Sequence, residues 1–134
     1  MAEMLFWCCE GSFSSIGTTL FLATQLRGAG VDVAILFDTE ALVALAERKF
    51  GYEPTPLLKR HEATIQKNMK AVGFSTEVAE YLKAAAAAGV PLYACAGWAG
   101  FLGVAQRLPA EIKLMEIPDV VKLLAQAKRI TGGP

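Results

Sequence analysis

The sequence predicts an α/β fold in which helices cover both faces of a mainly parallel sheet of four to five strands, a three-layer α/β/α arrangement. Short apolar runs alternate with segments that have a helical apolar pattern, in the order β-α-β-α-(α)-α-β-α-β-α. This alternation is typical of parallel sheets, because a crossover between parallel strands usually contains a helix. Two of the apolar runs carry no charged residue, as expected for strands buried on both faces.

The composition indicates one domain that associates with itself. The 134 residues are enough for a single domain with a sizeable core, and we treat residues 1–134 as one domain. The chain is 54% hydrophobic and 19% charged, below the usual charged share of about 25%. A monomer of this composition would expose much apolar surface, so we expect a homo-oligomer. The 13 basic and 13 acidic residues cancel, which argues against a nucleic-acid partner.

Apolar runs and turn residues divide the first half of the chain. Residues 4–9 (MLFWCC) and 31–37 (VDVAILF) are predicted as strands. A serine-rich loop after the first strand leads into a helix that ends at an arginine and glycines. Residues 40–49 are predicted as the second helix. Residues 50–73 are the least regular part, because two prolines interrupt them before a basic stretch with the pattern of a short helix.

The second half repeats the alternation. Ser75 is expected to cap a helix whose apolar face includes Val78 and Leu82. The elements predicted after it are a strand at 90–94, a helix at 100–107, a strand at 111–117, a helix opened by Pro118 and Asp119, and an edge strand at 129–131. Residues 84–106 carry no charge and are long enough to cross a bilayer. Gly89 and Pro91 divide that run, so we interpret it as a helix end, a strand and a helix, with no membrane span.

The three cysteines indicate a reducing compartment. Cys8, Cys9 and Cys95 are odd in number and irregular in spacing, which is not the pattern of a disulfide framework. The first residues also lack the basic start of a secretion signal. We therefore expect a cytoplasmic protein.

Cys95 is the candidate for the functional group. It follows the third predicted strand, and ligands of open parallel sheets gather at the carboxyl ends of strands. The following helix is expected to direct free N–H groups towards the sulfur, which favours the thiolate. Gly97 and Gly100 leave room for a substrate, while Trp98 either forms a wall of the site or lies at a subunit contact. The alternative is an inert buried thiol, the commoner role of an unpaired cysteine.

The segments AGVPLYACAGWAGFLGV (88–104) and IPDVVKLLAQAKRI (117–130) resemble the DsrE/DsrF-like family, which has the YchN-like fold. GVDVAILFDTEALVALA (30–46) fits the same pattern, so the resemblance covers nearly the whole chain. It implies a small homo-oligomeric α/β protein with Cys95 near a subunit interface. It also implies a sulfur relay, in which the cysteine accepts a sulfane sulfur as a persulfide and passes it to another protein or a small sulfur compound. Such a relay needs no metal and no cofactor.

Three departures from the family pattern bear on the chemistry. Many relatives have a second cysteine soon after the first, whereas Trp98 or a neighbouring residue stands there in this chain. The C-terminal tail, TGGP, contains no cysteine. Residues 52–73 are long compared with the small members of the family.

Other candidate positions are weaker. Gly11 and Ser12 follow the first strand, which in many such folds lies beside the third, and their N–H groups are suited to holding an anion; an ordinary helix cap is the alternative. His61, the one histidine, has no partner at metal-ligand spacing. The basic side chains around it form either a solvated helix face or a cationic lip for an anionic sulfur donor; they are Lys59, Arg60, Lys67 and Lys70.

Three functions remain open on the sequence alone. The first is a cytoplasmic sulfur carrier or sulfurtransferase-like protein that forms a persulfide on Cys95. The second is a non-catalytic oligomeric module that binds a small anion or a nucleotide in the crevice at the strand ends. The third is a scaffold whose surfaces only join larger relay proteins, for which the Cys95 thiol is dispensable.

Overall fold

Five short strands form one entirely parallel sheet in the computed structural model, which describes residues 2–134. The strands are β1 (Met4–Cys8), β2 (Val33–Phe37), β3 (Leu92–Cys95), β4 (Lys113–Met115) and β5 (Arg129–Gly132). Their order across the sheet is β4-β3-β2-β1-β5, and each neighbouring pair is parallel. The predicted α/β fold with a parallel sheet is therefore confirmed, and the last segment forms an edge strand, as expected.

Among residues 2–134, six helices connect the strands. They are α1 (Phe13–Gly28), α2 (Glu40–Ala46), α3 (Glu62–Ala71), α4 (Val78–Ala87), α5 (Ala96–Leu102) and α6 (Ile117–Gln126). Short 3-10 turns precede α3 and follow α5. Among residues 2–134, no helix combines the length and the apolar character that crossing a membrane requires.

The two faces of the sheet are covered very differently. The first face, which carries Phe6 and Ile35, packs against α1 and α4 through buried residues such as Leu20 and Leu82. The second face, which carries Leu5, Leu36 and Cys95, packs against α6, whose one buried residue is Val120. The larger core therefore lies on the first face, and the second face has a thinner cover.

Several predicted boundaries are wrong by two to four residues, namely those of the third strand, of the helix that follows it and of the fourth strand. The third strand begins at Leu92 and includes Cys95, and α5 begins at once with Ala96, four residues before the predicted start. That helix ends at Gly103, which has a φ of 69° and makes a left-handed C-cap, so residues 105–107 form a separate turn. The fourth strand is shorter than predicted because Pro118 lies in the first turn of α6, which starts at Ile117.

The irregular segment predicted after the second strand is present, but its helix is more loosely attached than the others. α3 has no buried residue, and its inward side chains, such as Met69, are only partly covered. Ser75 is not the N-cap of α4, which is Glu77; the Ser75 hydroxyl accepts the Glu77 N–H at 3.0 Å instead. The segment packs beside α1 through ring contacts of Phe13 with Tyr52 and of Phe21 with Phe74.

Candidate functional site

Cys95 is the last residue of β3 and the residue before α5. This junction of strand and helix at the carboxyl edge agrees with the predicted position of the thiol. Its side chain belongs to the buried cluster of the second face, with Leu36 and Val120, and the residue is 7% exposed. Cys95 makes no side-chain capping bond to α5, which has only seven residues. The sulfur therefore lies close below the surface in an apolar setting.

Gly97 is the glycine that lies against this thiol. A Cβ added at Gly97 would lie 2.9 Å from Ile117 Cδ1 and 3.7 Å from the Cys95 sulfur. The absence of a side chain therefore lets the first residue of α6 approach α5 beside the sulfur. Ile117 is itself 53% exposed, so it reaches the surface at this corner.

Trp98 and Gly100 lie on the outer side of α5. Trp98 is 41% exposed, and its ring contacts Phe101 in a T-shaped arrangement with centroids 5.6 Å apart. Gly100 has open space where a Cβ would stand and borders an open cavity of about 410 Å³ with Gly103 and Gln106. The prediction that these two residues shape access to the sulfur stays a prediction, and Trp98 has the exposure expected of a contact residue.

Asp38 is the site residue that sequence reasoning missed. It directly follows the carboxyl end of β2 and is 7% exposed. The Trp7 indole N–H donates to Asp38 Oδ2 at 3.1 Å, and the Thr39 backbone N–H donates to Oδ1 at 3.0 Å. A carboxylate is rarely buried without such donors. The available signal was its position, because an acidic residue directly follows a fully apolar strand on the edge that carries Cys95.

Thr39 holds an unusual backbone conformation beside this carboxylate. Its φ of 45° and ψ of −120° lie in a region that β-branched residues avoid. The Thr39 hydroxyl donates to the Cys9 carbonyl oxygen at 3.1 Å, although Thr39 makes no side-chain cap for α2. The turn from β2 into α2 is therefore held in a strained shape and is tied to the end of β1.

The two N-terminal cysteines lie in different environments. Cys8 packs in the core of the first face, where burial above all raises its pKa to about 11 although the Ser15 hydroxyl lowers it. Cys9 is partly exposed just beyond β1; burial raises its pKa most, the Thr39 hydroxyl lowers it, and the Asp38 charge raises it further. Of these two thiols, only Cys9 has a pKa that the Asp38 charge affects.

Gly11 and Ser12 lie apart from the thiol. The expectation that the end of the first strand lies beside the third is wrong, because β2 separates β1 from β3. Ser12 is the N-cap of α1, and its hydroxyl accepts the Ser15 N–H at 3.3 Å. Both residues line an open cavity of about 330 Å³ whose charged lining residues are Glu10, Glu40, Lys49 and Glu53. Three carboxylates against one lysine disfavour an anion there.

His61 and the basic side chains form a separate surface. His61 is exposed in the 3-10 turn before α3. An open groove of about 570 Å³ is lined by Glu62, Gln66 and the four basic residues Lys59, Arg60, Lys67 and Lys70. Within residues 2–134, no group of three histidine, cysteine or acidic side chains is arranged to hold a metal ion.

The fold has a known counterpart. The crystal structure of the YchN protein from E. coli matches this chain with a TM-score of 0.65, covering 97% of both chains at 16% sequence identity. This likeness shows that the chain has the YchN-like fold. No family model and no curated protein matches the sequence.

Proposed function

We propose that this chain, which has the YchN-like fold, is a sulfur carrier that accepts a sulfane sulfur on Cys95 as a persulfide and passes it on. The observation that carries the proposal is the position of a free thiol at the junction of β3 and α5. In open parallel sheets this edge is where ligands are bound. The resemblance of the segment around Cys95 to sulfur-relay proteins supports the same chemistry.

The reaction needs only a thiol and a donor. With thiosulfate, the sulfur of Cys95 attacks the outer sulfur, a new S–S bond forms, and the old S–S bond breaks with its electron pair leaving on sulfite. The thiol proton goes to a base, and no oxidant or reductant is consumed. Attack on the persulfide by an acceptor thiol then returns Cys95 to its starting form.

Access to the sulfur requires a small local opening. Cys95 is 7% exposed, so a donor cannot reach the sulfur while the corner beside Gly97 is closed. Ile117, which lies against Gly97, is half exposed in the first turn of α6, and we take this corner as the part that opens. Openings of short helix ends cost little free energy.

Self-association is part of the proposal. Large apolar side chains are exposed along α5, the edge strand β4 and the start of α6, namely Trp98, Phe101, Leu114, Ile117 and Val121. We call these five residues the apolar edge. Several large exposed apolar side chains on neighbouring elements are typical of protein contacts, and a second copy of the chain would cover them. The three unpaired cysteines fit a reducing compartment, so we place the protein in the cytoplasm.

The test is the intact mass of the protein after incubation with thiosulfate or an inorganic polysulfide. We expect a gain of one sulfur atom that a thiol reductant reverses. Cys95→Ser should abolish the gain, while Cys8→Ser and Cys9→Ser, as matched controls, should retain it. An unchanged mass of the wild type, or a gain that persists in Cys95→Ser, contradicts the proposal.

The alternative, a non-catalytic module that binds a small anion or a nucleotide, has less support. Its predicted anion-binding residues, Gly11 and Ser12, border a cavity with mainly acidic charged residues. A phosphate-containing ligand that co-purifies with the protein, together with the absence of any sulfur adduct, would favour this module over the carrier.

A further inference from the structure

Among residues 2–134, Asp38 is the one charged residue that is buried. Taking a carboxylate out of water is unfavourable unless donors compensate for the lost hydration. Two N–H groups do so, from the Trp7 indole and the Thr39 backbone. Each carboxylate oxygen accepts one of these bonds, and an ionised carboxylate offers about four acceptor positions. The side chain is thus held in place but retains capacity to accept a proton.

The strand register brings Asp38 next to Cys95. The ladder between β2 and β3 ends with Phe37 paired to Ala94, and continuing this register by one residue puts Asp38 beside Cys95. Phe37 also pairs with Cys8 of β1, and the residue after Cys8 is Cys9. The three residues Cys9, Asp38 and Cys95, here called the carboxyl-edge row, therefore follow one another across the ends of three strands. Neighbouring strands are about 4.8 Å apart.

All three side chains of the carboxyl-edge row belong to the second face. Alternation along the strands assigns Cys95 and Leu36 to this face. Asp38 and Cys9 lie one residue beyond their strands, and the bond from Trp7 to Asp38 and the effect of the Asp38 charge on Cys9 indicate the same side. Trp7, which donates to Asp38, packs against the buried cluster that contains Cys95. The strained conformation of Thr39 keeps the chain turning directly after Asp38, so the carboxylate stays at the edge.

We propose that Asp38 is the proton acceptor for Cys95 during sulfur transfer, an inference that rests on the proposed carrier function. A thiol that attacks a donor must lose its proton, and α5 is too short to make a strong dipole at its start. The one histidine is exposed on the turn before α3 and is not part of this edge. Among residues 2–134, no hydrogen bond joins the Cys95 sulfur to Asp38, whose carboxylate bonds to Trp7 and Thr39 instead. Catalytic hydrogen bonds are often poorly aligned before the substrate binds and tighten in the complex.

The step balances without a further reactant. The Cys95 sulfur attacks the outer sulfur of thiosulfate while its proton moves to the Asp38 carboxylate. The products are a Cys95 persulfide anion, a neutral Asp38 carboxyl and sulfite, and the total charge is unchanged. The neutral carboxyl then donates a hydrogen bond to the persulfide, and the proton returns to the Cys95 sulfur when an acceptor thiolate takes the outer sulfur.

Few other ionisable groups surround the row. Glu10 follows Cys9, Glu40 opens α2 and Glu116 precedes α6, and all three are exposed to water. Lys113 shares the second face on β4 but is exposed as well. Glu10 is thus the matched control for Asp38, because it is a carboxylate at the same edge that is not buried.

The test compares two reactions in the same variants. In Asp38→Asn, we expect sulfur loading from thiosulfate at neutral pH to slow by about 100-fold, the usual effect of losing a general base. Alkylation of Cys95 by iodoacetamide in alkaline buffer should stay within about twofold, because hydroxide then removes the proton. Asp38→Glu should recover part of the loading rate, and Glu10→Gln should leave it unchanged. Far-UV circular dichroism checks that each variant is folded.

A second measurement reports on the Asp38 charge alone. Because this charge raises the pKa of Cys9, Asp38→Asn should speed the alkylation of Cys9 at neutral pH. Normal sulfur loading of Asp38→Asn, or a loading rate of Asp38→Glu as low as that of Asn, overturns the proton-acceptor role and leaves the carrier function standing. A wild-type protein that takes up no sulfur overturns both. An unchanged rate of Cys9 alkylation would show that the Asp38 carboxylate carries no negative charge that acts on the carboxyl-edge row. This result also overturns the proton-acceptor role of Asp38.

Discussion

The two faces of the sheet differ in how many residues their covering helices bury and in which residues lie beneath those helices. On the first face, α1 buries five residues, Phe13, Ile16, Gly17, Leu20 and Ala23, and α4 adds three more. On the second face, α6 buries Val120 alone. The residues of the proposed site, Cys95 and Asp38, belong to the thinly covered face. The comparison teaches that the densest packing and the proposed site lie on opposite faces of one sheet, as expected for a site that must open.

Two of the cysteines, Cys8 and Cys95, show the same contrast in how densely they are covered. Cys8 ends β1 on the first face, and Cys95 ends β3 on the second. Both are nearly inaccessible in the closed structure, with exposed fractions of 4% and 7%. What separates them is the cover: the large core lies over Cys8, whereas one half-exposed isoleucine and a glycine lie beside Cys95.

The largest expected effect is on stability. Leu20→Ala, at a fully buried position of α1, should lower the free energy of unfolding by about 2–5 kcal/mol, the usual cost of such a cavity. Leu123→Ala, the matched change in α6, should cost only about 1 kcal/mol, because the side chain is partly exposed. Urea unfolding followed by circular dichroism measures both. Equal losses would show that the two faces contribute alike.

The second effect is a pH dependence that comes from the first face. Burial raises the pKa of Cys8 from 9.0 to about 11, so the folded state favours the neutral thiol. The stabilisation is complete below pH 9 and is lost as pH rises through 11, by about 2–3 kcal/mol in total. In Cys8→Ala, the fall in unfolding free energy between these two pH values should be smaller by that amount. A fall of the wild-type size would contradict the burial of this thiol; Cys9→Ala is the control and should change it less.

The third effect concerns access to Cys95. Ile117→Ala removes the side chain beside Gly97 and should lower the cost of exposing the sulfur by about 1 kcal/mol, or roughly fivefold in the rate of alkylation. Lys122→Ala, further along α6, is exposed and lies outside the apolar edge, so it should leave the rate unchanged. Mass spectrometry of the peptide that contains Cys95, after timed reaction with iodoacetamide, measures both. Slower or equal alkylation of Ile117→Ala would show that another element covers the thiol.

The smallest expected effect on folding comes from the apolar edge. Phe101 is 77% exposed, so Phe101→Ser should change the free energy of unfolding of the separated subunit by at most about 0.5 kcal/mol. The same change should dissociate the oligomer, because a buried aromatic ring would be lost from each contact. Light scattering after gel filtration gives the mass. An oligomer that persists in Phe101→Ser would show that the apolar edge is not the interface. A monomeric wild-type protein would contradict the proposed self-association itself.

Much of the fold was predictable from local patterns. The apolar runs at 4–8, 33–37 and 92–95 are strands because their residues are buried on both faces, which leaves no room for polar side chains. Boundaries were less predictable. Ala96 begins a helix four residues earlier than its pattern suggested, since small residues such as alanine and glycine give little periodic signal.

The candidate site was predicted in part. The sequence by itself determined the alternation of strands and helices and placed Cys95 at a strand end, because both follow from the spacing of apolar residues along the chain. Only the tertiary structure decided that β2 separates β1 from β3, so that the chain after β2, and not the loop with Gly11 after β1, begins beside the end of β3. Strand order and register are set by how distant segments pack against each other, and no local pattern in the chain records that choice.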